Sequence, residues 1–145
     1  MEIETTRFGR LVIEASDIVQ FPAGLPGLSD CTHWVLLADD QNDALGWLQD
    51  TAHPEIALAV VSPRRFVPGY QMRVSRGELG PLADAIDEVH VLAIVNKNEE
   101  GITLNLKAPL LIHLQKRIGR QVIASGDQPL QHPLTATPAP RKKIA

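Results

Sequence analysis

Residues 102–115 read ITLNLKAPLLIHLQ, which contains two kinds of strand pattern separated by a break. From Ile102 to Lys107, apolar and polar residues alternate, which is the period of a strand with one buried face. Ala108 and Pro109 then interrupt the alternation, and the chain continues as the uniformly apolar run LLI. The stretch predicts a protein built from strands. It leaves open whether the break belongs to the fold or to a functional site.

Similar strand patterns recur on both sides of this stretch. Runs of this type, bounded by turns rich in glycine, proline, asparagine and aspartate, predict about nine or ten short strands with spacings typical of antiparallel sheets that close or nearly close. Only GELGPLADAI, at 77–86, reads better as a short helix. We therefore predict a mostly β fold, a compact antiparallel barrel-like single domain with one or two short helices. The predicted strands lie within residues 7–15, 17–22, 33–39, 44–50, 55–63, 70–74, 88–97, 102–106, 110–112 and 117–125.

Length and charge divide the chain into a body and a tail. The 145 residues, 44% of them hydrophobic, suit one domain that needs no metal or disulfide to form its core. Residues 129–145 contain four prolines, three basic side chains and no acid, so we expect a body at 1–126 and a disordered, Pro-rich basic tail at 127–145. The whole chain carries −3, which leaves −6 on residues 1–128.

This composition also excludes several functions. An acidic body with 4% aromatic residues has neither the basic face nor the stacking platform of a protein that binds nucleic acid directly. We find no signal peptide and no apolar run long enough to span a membrane. A single cysteine, Cys31, allows no intramolecular disulfide and fits a reduced, cytoplasmic location.

No motif predicts catalysis, a metal or a cofactor. The five histidines are scattered without metal-ligand spacing, and no serine lies in a GxSxG motif. The acidic loop at 39–43 lacks the glycine and glutamate positions of a calcium loop. Cys31 reads as a small packed thiol. The residues therefore contain no constellation that carries enzyme chemistry.

Three segments in order resemble the flagellar assembly factor family FliW. They are FPAGLPGL at 21–28, LGWLQDTAHPEIALAVVSPRRFVPGYQMRV at 45–74 and NLKAPLLIHLQKRIGRQVI at 105–123. Leu28 departs from the aromatic residue usual after GLPG, and the tail is not part of the shared pattern. The resemblance implies a barrel-like protein in which the strand bends at KAP, where Pro109 removes one ladder donor and the sheet turns a corner.

The resemblance also implies a function without catalysis. FliW proteins bind flagellin and the translational repressor CsrA, so that flagellin competes for the factor and releases the repressor. Asn105, Lys107 and Pro109 are either structural or an edge presented to a partner, and self-association stays open. The candidate partner-contact residues are Leu25, Pro26, Tyr70, Glu99, Glu100, Asn105, Lys107 and Pro109.

A second hypothesis belongs to another class. The protein is then a small barrel that holds a ligand or cofactor, or an enzyme accessory subunit, with Trp34, Trp47 and Tyr70 lining a pocket.

Overall fold

Eleven β-strands supply most of the regular structure in residues 1–99 and 101–134, the part of the chain that this computed structural model describes. The helical segments are short, so the predicted mostly β class is confirmed. The strands are β1 Glu2–Thr5, β2 Gly9–Val12, β3 Ile18–Gln20, β4 His33–Ala38, β5 Leu45–Asp50, β6 Ala57–Val61, β7 His90–Asn98, β8 Gly101–Leu104, β9 Leu110–His113, β10 Ile118–Gln121 and β11 His132–Pro133. The α-helices are α1 Pro63–Phe66 and α2 Arg76–Leu79, and 3₁₀ helices span Ala15–Asp17 and Gly80–Glu88. None of the described helices has the length and apolar character that crossing a membrane requires.

Seven of these strands close into a barrel. Their order is β3, β4, β5, β6, β7, β9, β10, and β10 returns to β3. All pairings around the ring are antiparallel except the last, a parallel contact at Ile118 and Gln20. The predicted antiparallel barrel is therefore confirmed, with one parallel pairing at the point of closure.

The break between β8 and β9 belongs to the fold. The long strand β7 pairs with β9 through its first half and with β8 through its second half, so both segments follow one strand with a loop between them. In that loop the side-chain oxygen of Asn105 accepts the backbone N–H groups of Lys107 and Ala108, at 3.1 and 2.9 Å. The carbonyl of Pro109 accepts the N–H of Val122, just past β10. The loop thus lets the chain leave the sheet and rejoin it on the same strand.

Large apolar side chains fill the barrel interior. Phe21, Trp34, Leu48 and Leu110 are fully buried in one cluster. The β1–β2 hairpin covers part of the outside, where its apolar side chains pack on Val35 and its neighbours. The barrel is therefore a packed core with an added hairpin.

Several segments test the sequence prediction in detail. Residues 70–74 alternate in burial but pair with no strand, and the short helix α1 precedes the turn at residues 68 and 69. The helix predicted at 77–86 is present as α2 and the 3₁₀ helix that follows it. The body continues past 126, because β11 pairs with β8. Residues 135–145, the rest of the predicted tail, lie outside the described residues.

Candidate functional site

Three of the candidate contact residues have buried side chains, so the fold does not display those side chains on its surface. Leu25 and Tyr70 are each 4% exposed, and Pro109 is buried in the loop before β9. The Tyr70 hydroxyl donates to the carbonyl of Leu106 at 3.0 Å, and burial raises its pKa. These side chains position the loops and do not form their outer surface.

The GLPG loop presents Pro26 to solvent. Leu25 and Leu28 exchange backbone hydrogen bonds across a tight turn, which leaves Pro26 and Gly27 exposed at its tip. A Cβ on Gly24 would lie 2.7 Å from the backbone of Ser29, and its φ is +65°, so only glycine fits there. The buried leucine anchors the loop and the proline is displayed.

The KAP loop is linked to the GLPG loop through Gln121. Gln121 donates through Nε2 to the carbonyl of Ala108 at 3.0 Å, and Arg120 and Gln121 line a shallow cleft of about 330 Å³ with the GLPG loop. Lys107 is half-buried, and its Nζ donates to the carbonyl of Gly126. We name this region the loop surface and define it as residues 24–27, residues 105–109, Arg120 and Gln121. It combines the two segments that the sequence analysis singled out separately.

The hairpin acids do not join the loop surface. Glu99 is exposed at the turn between β7 and β8, whereas the loop surface follows the other end of β8. Glu100 lies outside the described residues. Of the eight candidates, only Pro26, Asn105 and Lys107 are therefore both on the loop surface and at least partly exposed.

Charge is unevenly divided around the barrel. Residues 1–63 contain ten acidic and two basic side chains, for a net −8, whereas residues 64–134 contain seven acidic and nine basic, for a net +2. The first set forms the outer hairpin and the four consecutive strands β3 to β6. We name residues 1–63 the acidic wall. The overall composition gave the negative net charge of the chain but not its uneven distribution. Counting charged residues separately in the two halves of the sequence would have found that distribution.

The acidic wall contains a cluster that the sequence analysis missed. Cys31 Sγ lies 3.7 Å from His53 Nδ1, and the same nitrogen lies 2.7 Å from Asp50 Oδ2. Asp50 Oδ1 accepts the N–H of Ala52 and so also shapes the turn after β5. The only sequence feature that pointed to this cluster was the three-residue spacing of Asp50 and His53. Cys31 comes from a separate loop, so no local pattern includes it.

The pKa values of the cluster follow from its contacts. Burial, with the nearby Asp50, raises the pKa of the Cys31 thiol to about 12. Burial also favours the neutral acid at Asp50, but hydrogen bonds from Cys31, Ala52 and His53 outweigh it and lower the pKa. The hydrogen bond to Asp50, and then its charge, raise the pKa of His53. A thiol held neutral beside a carboxylate does not suit a cysteine nucleophile, which needs its thiolate.

The protein's family follows from comparison with known proteins. The family model described as FliW protein matches residues 2–134. The chain belongs to the FliW family. Flagellar assembly factor FliW of Desulfitobacterium hafniense is 35% identical over 126 residues, covering 85% of this chain and 83% of that protein. The flagellar assembly factor FliW of Caldanaerobacter subterraneus is 31% identical over 140 residues, which cover 92% of this chain and 93% of that protein.

A solved structure agrees with this assignment. The chain is similar to a crystal structure of the flagellar assembly factor FliW, with a TM-score of 0.84 and 27% identity over 94% of this chain and 98% of that one. The sequence-based resemblance to FliW is confirmed. The relatives in this family are described as flagellar assembly factors.

The aromatic residues of the ligand-barrel alternative do not meet in one pocket of this FliW protein. Trp34 is fully buried in the barrel interior, and Tyr70 packs in a second cluster with Leu104. Trp47 faces the outer hairpin, where its ring meets Phe8 edge-on at 5.8 Å and Arg7 lies 4.2 Å above it. The three side chains serve three separate packing regions, which corrects that prediction.

Proposed function

We propose that this FliW-family protein acts in the cytoplasm as a partner switch, binding flagellin and the translational repressor CsrA in mutually exclusive complexes. Free flagellin then competes for the factor and displaces the repressor. The released repressor silences flagellin translation. The observation that carries the proposal is the charge division of a FliW-family barrel, with −8 on residues 1–63 and +2 on residues 64–134.

The acidic wall suits the repressor. A protein that binds RNA has a basic surface, and opposite charges on two partners raise the rate and specificity of association. Negative charge held near an RNA site also repels phosphate, so the factor opposes RNA binding without entering the RNA groove. A competing hypothesis places the repressor at the β7–β8 hairpin, where it would contact Glu99 and Glu100.

The loop surface suits a chain end of flagellin. It offers an exposed proline, a cleft and the basic Arg120, and none of its own residues is acidic. Contacts of this kind bury apolar and main-chain groups and are little screened by salt.

The decisive experiment is isothermal titration of the protein with CsrA and with flagellin between about 50 and about 500 mM salt. CsrA binding should weaken as salt rises, and flagellin binding should change less. Flagellin should displace CsrA, and linkage requires CsrA to weaken flagellin by the same factor. Salt-independent CsrA binding, or saturation by both partners at once, would contradict the proposal.

Charge reversal distinguishes the two locations. Glu4→Lys with Asp40→Lys changes two exposed acids of the acidic wall, and the exposed Glu4–Arg10 pair contributes little to stability. We expect this variant to bind CsrA about 10-fold more weakly with flagellin affinity unchanged. Glu99→Lys is the matched control outside the wall. A greater loss of CsrA affinity in Glu99→Lys than in the double variant would indicate that the repressor binds at the β7–β8 hairpin.

A further inference from the structure

Three different metal-ligating side chains meet inside the acidic wall. The ligand atoms of Cys31, Asp50 and His53 all lie within 4.8 Å of one another. We propose that these three residues bind a Zn²⁺ ion. The inference stands on this cluster alone and does not depend on which partners the protein binds.

The distances fit a single ion. Two ligands at typical Zn–S and Zn–N distances lie about 3.5 Å apart around a tetrahedral zinc, and Cys31 Sγ and His53 Nδ1 are separated by 3.7 Å. The His53–Asp50 contact, at 2.7 Å, is a hydrogen bond that must open by about half an ångström when both groups ligate. His53 can make this movement because its side chain is 40% exposed, whereas that of Asp50 is 2% exposed.

The two buried ligands are held in place before any metal arrives. Gln49 donates through Nε2 to the carbonyls of Asp50 and Ile56, at 3.0 and 3.1 Å, and so fixes the turn that carries Asp50 and His53. The Trp34 indole donates to the carbonyl of Cys31 at 2.9 Å. The two buried ligands are therefore preorganised, and the exposed histidine is the ligand with the most room to adjust.

The chemistry of the donor set points to zinc. One sulfur, one nitrogen and one oxygen suit a borderline cation and not calcium or magnesium, which prefer oxygen alone. A Cys31 thiolate and an Asp50 carboxylate balance the charge of a divalent ion. Asp30 and Glu55 lie near enough to act on both Cys31 and His53 through their negative charge. Three protein ligands leave a fourth position for water.

Binding exchanges protons for metal. The thiol proton of Cys31 passes to solvent as the Zn–S bond forms, and His53 ligates through Nδ1 with any remaining proton on Nε2. The ion then joins the loop before β4 to the turn after β5. We expect the metal to stabilise the fold, since it binds a site that the unfolded chain lacks.

Cobalt(II) is the direct probe, because a thiolate bound to Co²⁺ gives a charge-transfer absorption band. The metal-stripped full chain should develop this band with one equivalent of Co²⁺, and Zn²⁺ should remove it. Cys31→Ser should abolish the band and weaken Zn²⁺ binding by more than about 100-fold, beyond the cost of losing an outer-shell partner. His53→Ala should weaken it by at least about 10-fold.

His33→Ala is the matched control, because the His33 ring hydrogen-bonds Gln20 and Thr32 and lies outside the cluster. It should bind Zn²⁺ like the unchanged protein. Circular dichroism checks that each variant is folded, and the exposed His53 keeps the test valid if Cys31→Ser is unstable. Co²⁺ bound without the band, equal affinity in Cys31→Ser, or no binding at all would overturn the proposal.

Discussion

At the scale of single residues, Gly119 is a position where one added carbon meets a fully buried side chain. A Cβ there would lie 2.5 Å from the ring of Phe21, which is fully buried. Because the ring has no free space, Gly119→Ala should destabilise the protein by about 1–3 kcal/mol, as overpacking of a core does. Urea unfolding measures this change.

Gly77→Ala is the control for Gly119→Ala. A Cβ on Gly77 meets nothing within 4 Å, and the residue lies in α2, where alanine is favoured over glycine. We expect unchanged or slightly increased stability. Equal effects at the two glycines would mean that the barrel relaxes around Phe21.

The His53–Asp50 pair should make stability depend on pH when metal is removed with a chelator. The folded pKa of His53 is raised above 6.5 by its hydrogen bond to Asp50. The stabilisation that the His53–Asp50 pair gives the folded state is therefore complete below pH 6.5, and it disappears as pH rises through the folded pKa of His53. The melting temperature of His53→Ala should fall below that of the unchanged protein by more at pH 5.5 than at pH 9.

Asp50→Asn provides the control for this pH effect. The amide keeps the size of the side chain but not its charge, so adding His53→Ala to it should produce little further pH dependence. A pH dependence that survives in the Asp50→Asn background would mean that another group titrates.

At the scale of elements, β11 makes the chain end part of the sheet. The carbonyl of Pro129 accepts the N–H of Leu106, the N–H of Leu134 donates to the carbonyl of Ile102, and Leu134 packs on a core cluster. Deleting 129–145 should therefore cost about 1–3 kcal/mol, since it uncovers β8 and removes several hydrogen bonds. Deleting only 135–145 is the matched comparison and should leave the melting temperature within a few degrees. Equal melting temperatures would show that β11 adds nothing to stability.

Sequence periodicity predicted the elements well where burial alone decides them. The change from alternation to a continuous apolar run marked the break between β8 and β9, because two strands share β7. Residues 70–74 also alternate, yet they form no ladder, since alternation reports burial and not hydrogen bonding. β11 has two residues and contains a proline, so it carries no strand signal of its own.

The candidate site was less predictable from sequence. Turn residues were recognised, but a turn pattern does not tell an anchoring side chain such as Leu25 from a displayed one such as Pro26. The zinc ligands were missed for a different reason, because Cys31 and Asp50 come from separate segments that meet only after β4 and β5 pair.

At the scale of the whole molecule, the pairing that closes the barrel is its smallest. β3 and β10 share one paired position, at Gln20 and Ile118, whereas β4 and β5 share five. A short ladder opens more easily than a long one. In hydrogen exchange, the amide of Gln20, which donates to Arg117, should therefore exchange before those of β4 and β5. Protection equal to that of the central strands would contradict this expectation.

The same closure has a consequence during protein synthesis. Strands β3 to β6 can form from neighbouring hairpins as they leave the ribosome, but β3 keeps an open edge until residues 118–121 arrive. An open edge is a template for pairing with other chains. The nascent chain thus passes through an aggregation-prone interval, and the emergence of its last barrel strand ends that interval.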